Sequence, residues 1–109
     1  MRALQVGDLI AVARVLILRD QREWRALVQM FLQQAHAAHA FHKRRRRPHP
    51  HWGNGSLMAR ANVEVFAAQP RDGDATFLAA LQVCLSAVVD WRERRASPVS
   101  LARCRAMLV

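Results

Sequence analysis

Apolar residues recur along this chain at three- and four-residue steps, and nowhere in strict alternation. The first run, Leu9 to Leu18, is apolar on nearly every helical face, with Arg14 its only strongly polar interior position. Such a helix belongs at the centre of a bundle or against a second chain. Asp8 before it is placed to accept the free N–H groups of a first turn. From Trp24 a second stripe follows through Leu27, Val28, Phe31, Ala35, Ala38 and Phe41 or His42. Asp20-Gln21-Arg22-Glu23 in front of it has the spacing of a capping box. This predicts the longest helix, about 21–45. Ser56 caps a third predicted helix, about 57–68, which Pro70 ends. Asp74 caps a fourth, about 75–95, with Phe77, Leu78, Leu81, Cys84 or Leu85, Val88 and Trp91 as its stripe. Ser97-Pro98 is a helix-start pair and predicts a short fifth helix, about 98–107.

The pattern therefore predicts an all-α fold, a compact bundle of four to five helices in one domain spanning 1–109. The two long helices are expected to pack antiparallel. Four Gly and four Pro among 109 residues, with 52% hydrophobic residues, agree with a folded helical chain. The main interruption, 46–55, is a basic, Pro- and Gly-rich connection. Its prolines bias their neighbours towards extended backbone and its glycines accept positive φ.

Charge changes the picture in one place. The formal net charge is +9, and Lys43-Arg44-Arg45-Arg46-Arg47 supplies five consecutive cations. They fall in the last turn of the long predicted helix, where positive charge suits the helix dipole. Arg44, Arg45, Arg46 and Arg47 are the leading candidates for binding an acidic partner, either a protein or a nucleic acid. Trp52, a few residues on, is placed to stack on an unpaired base. Compositional bias competes with this reading, since sixteen of the seventeen cations are Arg and there are nineteen Ala.

Other chemistry is thinner. Gly53, Asn54, Gly55 and Ser56 open a helix and form a possible anion site through exposed N–H groups, though no P-loop lysine follows. His36, His39 and His42 are three residues apart, and each such step drifts by about 60° around a helix. With arginines beside them and no carboxylate near, no metal site is expected. The carboxylates Asp8, Asp20, Glu23, Asp72 and Asp74 fall at predicted caps or helix ends, and no nucleophile–base pattern is legible. The expectation is a non-enzymatic interaction protein without a cofactor. A homo-oligomer built through the apolar first or last helix is the structural alternative. Cys84 and Cys104 read as small core residues of a reducing cytoplasm. No signal peptide is legible, and no segment approaches the roughly 20 apolar residues of a bilayer span.

The stretch His49-Pro50-His51-Trp52-Gly53-Asn54-Gly55-Ser56-Leu57-Met58, together with Gly7-Asp8 before a short apolar helix, resembles a family of small, Ala/Arg-rich helical bacterial proteins. The resemblance covers about the first two-thirds of the chain and stops near Arg92. It implies no activity, ligand or partner.

Overall fold

In the computed structural model, which describes residues 1–70 and 73–95, four helices form an all-α bundle with no strand among the described residues. They are α1 (Val6–Leu16), α2 (Trp24–Arg45), α3 (Leu57–Ala61) and α4 (Ala75–Arg94). The predicted helix at 98–107, Cys104 and Asp72 lie outside the described residues.

α1 starts three residues earlier than the pattern predicts, because Asp8 is not the cap. Gln5 is the extended residue before the helix. Asp8 sits within the first turn, where its Oδ2 accepts the Gln5 N–H at 2.7 Å. At the other end the Leu18 and Arg19 N–H groups turn back only three residues, to the Val15 and Leu16 carbonyls. The tightened turn frees the Arg14 carbonyl, which accepts the Ala67 N–H at 3.0 Å.

That bond has a consequence downstream. α3 stops at Ala61 rather than near residue 68. Residues 65–70 instead run without helix, with the Ala67 N–H on the Arg14 carbonyl and the Ala67 carbonyl taking Arg14 Nε at 2.7 Å. Val63 and Val65 are weak helix formers, so two tertiary hydrogen bonds suffice to draw the chain out of the helix.

α2 matches its prediction closely. Asp20 accepts the Arg22 N–H at 3.0 Å and starts a one-turn 3-10 helix, Gln21–Glu23, that leads into Trp24. The reciprocal Glu23 half of a capping box is not formed; the Glu23 N–H binds the Asp20 carbonyl. Trp24, Val28, Phe31, Leu32, Ala35 and Ala38 are buried along α2. Arg46 then adopts a left-handed conformation, φ 56°, and its N–H closes on the His42 carbonyl at 2.8 Å.

α4 is capped as predicted, with Asp74 Oδ1 accepting the Phe77 N–H at 2.9 Å. Its buried face is Phe77, Ala80, Cys84, Ala87 and Val88. Three of these are small, which lets α4 approach its neighbours closely. Leu81 and Trp91 are half-buried, and Leu78 and Leu85 are 51% and 53% exposed. The larger leucines of the predicted stripe therefore flank the core rather than fill it. α4 is also long and apolar enough, by length and composition alone, to cross a membrane, with mean hydropathy 1.3 over 18 residues. Only 28% of that window is buried within the bundle.

α3 returns along α2, with Gly55 against His39 and Arg60 against Gln34. α4 then runs in the same sense as α2: Arg25 reaches Ser86 and Asp90, and His36 reaches Trp91. The expected antiparallel pairing of the two long helices is thus corrected. α3 is the intervening pass, and in an up-down-up-down bundle the second and fourth helices share a direction. α1 and α2 each pack chiefly on α3 and α4 and touch each other little. The core they enclose centres on Val12, Val15, Leu16, Val28, Phe31, Leu32 and Leu57.

Candidate functional site: a basic corner

The basic run sits where α2 ends. Arg44 and Arg45 close the helix, Arg46 turns the chain, and Arg47 leads into Pro48; all four side chains are exposed. The ion pairs among the described residues lie elsewhere, at Arg19–Glu64, Arg22–Asp20, Arg25–Asp90 and Arg60–Glu64. No carboxylate among the described residues neutralises Arg44–Arg47, and their charge faces solvent.

The segment after the run is tied into a small knot. His49 and Gly53 exchange backbone hydrogen bonds at 2.8 and 3.2 Å. His49 Nδ1 accepts the His51 and Trp52 N–H groups at 3.1 and 3.2 Å. The His49 ring stacks on Trp52, centroids 4.6 Å apart and 8° from parallel, and meets Phe41 edge-on at 5.0 Å. Trp52 is half-buried and one of its faces is already covered. Its clearest role is to hold the loop that presents the arginines, rather than to offer an open stacking platform.

Gly53, Asn54, Gly55 and Ser56 are brought together, and the Gly53 and Ser56 N–H groups donate within the loop. Asn54 Oδ1 accepts the Ser56 N–H at 3.1 Å, and Ser56 Oγ accepts the Ala59 N–H at 3.1 Å. The Met58 N–H donates to Asp8 Oδ1 at 2.8 Å. Asp8, only 5% exposed, therefore joins the starts of α1 and α3 with one carboxylate. The carboxylate found at the start of α3 thus belongs to the chain itself. Gly55 has φ 99°, and a Cβ there would lie 2.6 Å from the His39 Cα. Gly55 permits close backbone approach of this loop to α2.

Sequence reasoning missed Arg60. It is 5% exposed, donates through Nε to Gln34 Oε1 at 2.5 Å and through Nη2 to Glu64 Oε1 at 3.0 Å, and lies 4.5 Å over the Phe31 ring. Nη1 has no partner. The four-residue spacing to Glu64 was the only signal in the sequence; the Gln34 and Phe31 contacts come from the fold. It missed equally the pairing of Met1 and His36. The Met1 amino group lies 2.9 Å from His36 Nδ1. Burial, then Arg95 and Lys43, hold the amine below its ordinary value. Burial, then the amine and Arg95, do the same to His36, and His39 is lowered by burial and the same amine. Cys84 is a buried free thiol, pushed up to about 12 by burial, and behaves as a core residue.

The sequence model of a family described as a domain of unknown function (DUF7742) matches residues 2–88. The chain belongs to this family. The matched span holds α1 to α3, the whole basic corner with its His49–Trp52 knot, and α4 through Val88. The last turns of α4, with Trp91, Arg92 and Arg95, lie beyond it. No curated protein and no solved structure matches the chain.

Proposed function

We propose that this protein is a non-enzymatic interaction module of the cytoplasm that binds an acidic partner through Arg44, Arg45, Arg46 and Arg47. The carrying observation is a run of four exposed guanidinium groups, unpaired among the described residues, on a helix end and turn. The His49–Trp52 stack and the His49–Gly53 bonds brace the chain just behind the run. A braced cationic corner loses less freedom on binding than a disordered basic tail. The acids support the non-enzymatic reading: Asp8, Asp20 and Asp74 accept backbone N–H groups, and Glu64 and Asp90 pair with arginines.

Between a protein and a nucleic-acid partner, the covered face of Trp52 favours an acidic protein. The test is fluorescence anisotropy with labelled poly-glutamate and a labelled single-stranded oligonucleotide, each across a salt series. The acidic-protein reading expects poly-glutamate binding that weakens steeply with salt and is lost when Arg44–Arg47 are replaced by Gln. Tight binding of the oligonucleotide alone, with a salt slope near −0.7 per contacted phosphate, supports the nucleic-acid reading instead. No binding of either probe at low salt refutes both.

Self-association is the second reading. An apolar groove of about 630 Å³ runs between α1 and α4, lined by Val6, Leu9, Ile10, Leu78, Leu81 and Leu85. Val6 is 73% exposed and Leu85 53%. A second copy covering this strip is tested by solution mass: a monomer at high micromolar concentration removes it.

A further inference from the structure

A cleft of about 540 Å³ opens at the far end of α4, where Met1 and Arg2 meet His36 of α2 and Trp91, Arg92 and Arg95 of α4. None of its lining residues is acidic. Asp90, on the neighbouring hollow, is engaged with Arg25, and Glu93, beside Arg92 on α4, is exposed and does not line the cleft. Trp91 organises the wall: the His36 ring meets it edge-on at 5.9 Å and the Arg95 guanidinium lies 5.3 Å from its ring centre. Arg2 is anchored from outside, its N–H on the Gly55 carbonyl at 3.0 Å and its Nε on the Asn54 carbonyl at 3.0 Å.

Arg2, Arg92 and Arg95, the Met1 amino group and the His36 imidazole thus line one cleft whose described lining holds no carboxylate. We infer that this cleft binds a dianionic phosphate group, either inorganic phosphate or the head of a phosphate monoester. Guanidinium forks match phosphate oxygens in geometry, and three permanent cations suit a doubly charged ligand better than a single carboxylate. Burial first, and then Arg95 among other cations, hold the amine and His36 below their ordinary values. An anion in the cleft offsets the part that comes from these charges. The inference is independent of the Arg44–Arg47 surface, since it uses different residues, and its α4 arginines lie past the family-matched span.

His36 is a built-in reporter. Its ring faces the Met1 amine, Arg95 from α4, and His39 and Lys43 from its own helix. The experiment is an NMR pH titration of His36 in the untagged full chain, with its resonance assigned by comparison with His36→Gln. Chloride is exchanged for phosphate, or for glycerol 3-phosphate, at constant ionic strength. The expected result is a rise of about one unit in the His36 pKa with phosphate, abolished in R92Q/R95Q and kept when Arg44–Arg47 are replaced by Gln. Arg92 and Arg95 are exposed, so their replacement leaves the core intact; R95Q alone, with half the loss, serves if the double variant does not fold. An equal rise with glycerol 3-phosphate identifies the phosphate head as the ligand, and a rise with inorganic phosphate alone identifies the free ion. No rise in the wild-type chain, an equal rise in R92Q/R95Q, or its loss in the Arg44–Arg47 variant overturns the inference.

Discussion

Replacing Asp8 by Ala removes one carboxylate from two helix starts at once. In the native chain it accepts the Gln5 N–H at 2.7 Å and the Met58 N–H at 2.8 Å while only 5% exposed. Gln5 is at the surface, so water replaces the lost partner there and the cost is that of a missing cap, about 1 kcal/mol. The Met58 N–H has no such relief. It loses a bond to a charged acceptor and is left in a partly buried junction, which costs about 1.5–3 kcal/mol. Together the change is about 2.5–4 kcal/mol. With roughly 2 cal/mol/K per residue of unfolding entropy, that lowers the Tm by about 11–17 °C for a chain of this length. Urea unfolding followed by circular dichroism measures it, as a fall in midpoint at unchanged slope. Asp8→Asn, which keeps one acceptor oxygen, should lose less. A loss under about 1 kcal/mol for Asp8→Ala would mean that the carboxylate does not join the two helices as described.

Gly55→Ala should cost about 3 kcal/mol or more, because it combines φ 99° with a Cβ 2.6 Å from the His39 backbone; wild-type stability by urea unfolding would contradict that close approach. Leu32→Ala, at a fully buried position, should cost about 2–5 kcal/mol, and Leu81→Ala, at the half-buried groove, only about 1–2 kcal/mol; the reverse order in the same assay would refute the assignment of the core. His36 and His39 hold a proton less readily when folded than when unfolded. Stability from them is therefore complete above the ordinary histidine value of 6.5 and falls as pH drops through the window below it. Thermal scans across that range should show the decline, and His36→Gln should flatten it.

The starts of α3 and α4 and the two long helices were legible because local chemistry decides them. Asp74 and Ser56 cap the helices they precede, and the Trp24–Ala38 stripe marks the buried face of α2 at its own period. What was not legible depends on partners distant in sequence. α3 is cut short by bonds from Ala67 to Arg14, 53 residues away. Asp8 looks like the cap of α1 but lies within its first turn, and it also accepts a first-turn N–H of a helix 50 residues further on. Arg60 reads as a surface residue until Gln34 and Phe31 surround it. On α4, size misled: the stripe of large apolar residues drew attention to Leu78 and Leu85, whereas the small Ala80, Cys84 and Ala87 face the core.

The candidate site divides in the same way. Exposure of Arg44–Arg47 follows from their place at a helix end before two prolines, and the sequence alone predicts it. The stacking of Trp52 on His49 needed the fold of the loop, as did the bond from the Met58 N–H to Asp8 at the start of α3. The cleft at Met1, His36 and Arg95 unites three segments that no motif connects.

The central claim is that Arg44–Arg47 form a binding surface and not a structural element. Its most direct measurement compares wild type with the chain carrying Arg44–Arg47→Gln, by urea stability and by poly-glutamate binding at low salt. Exposed charges contribute little stability, so the unfolding midpoint should stay while binding disappears. Unaltered binding, or a variant that no longer folds, would contradict the account.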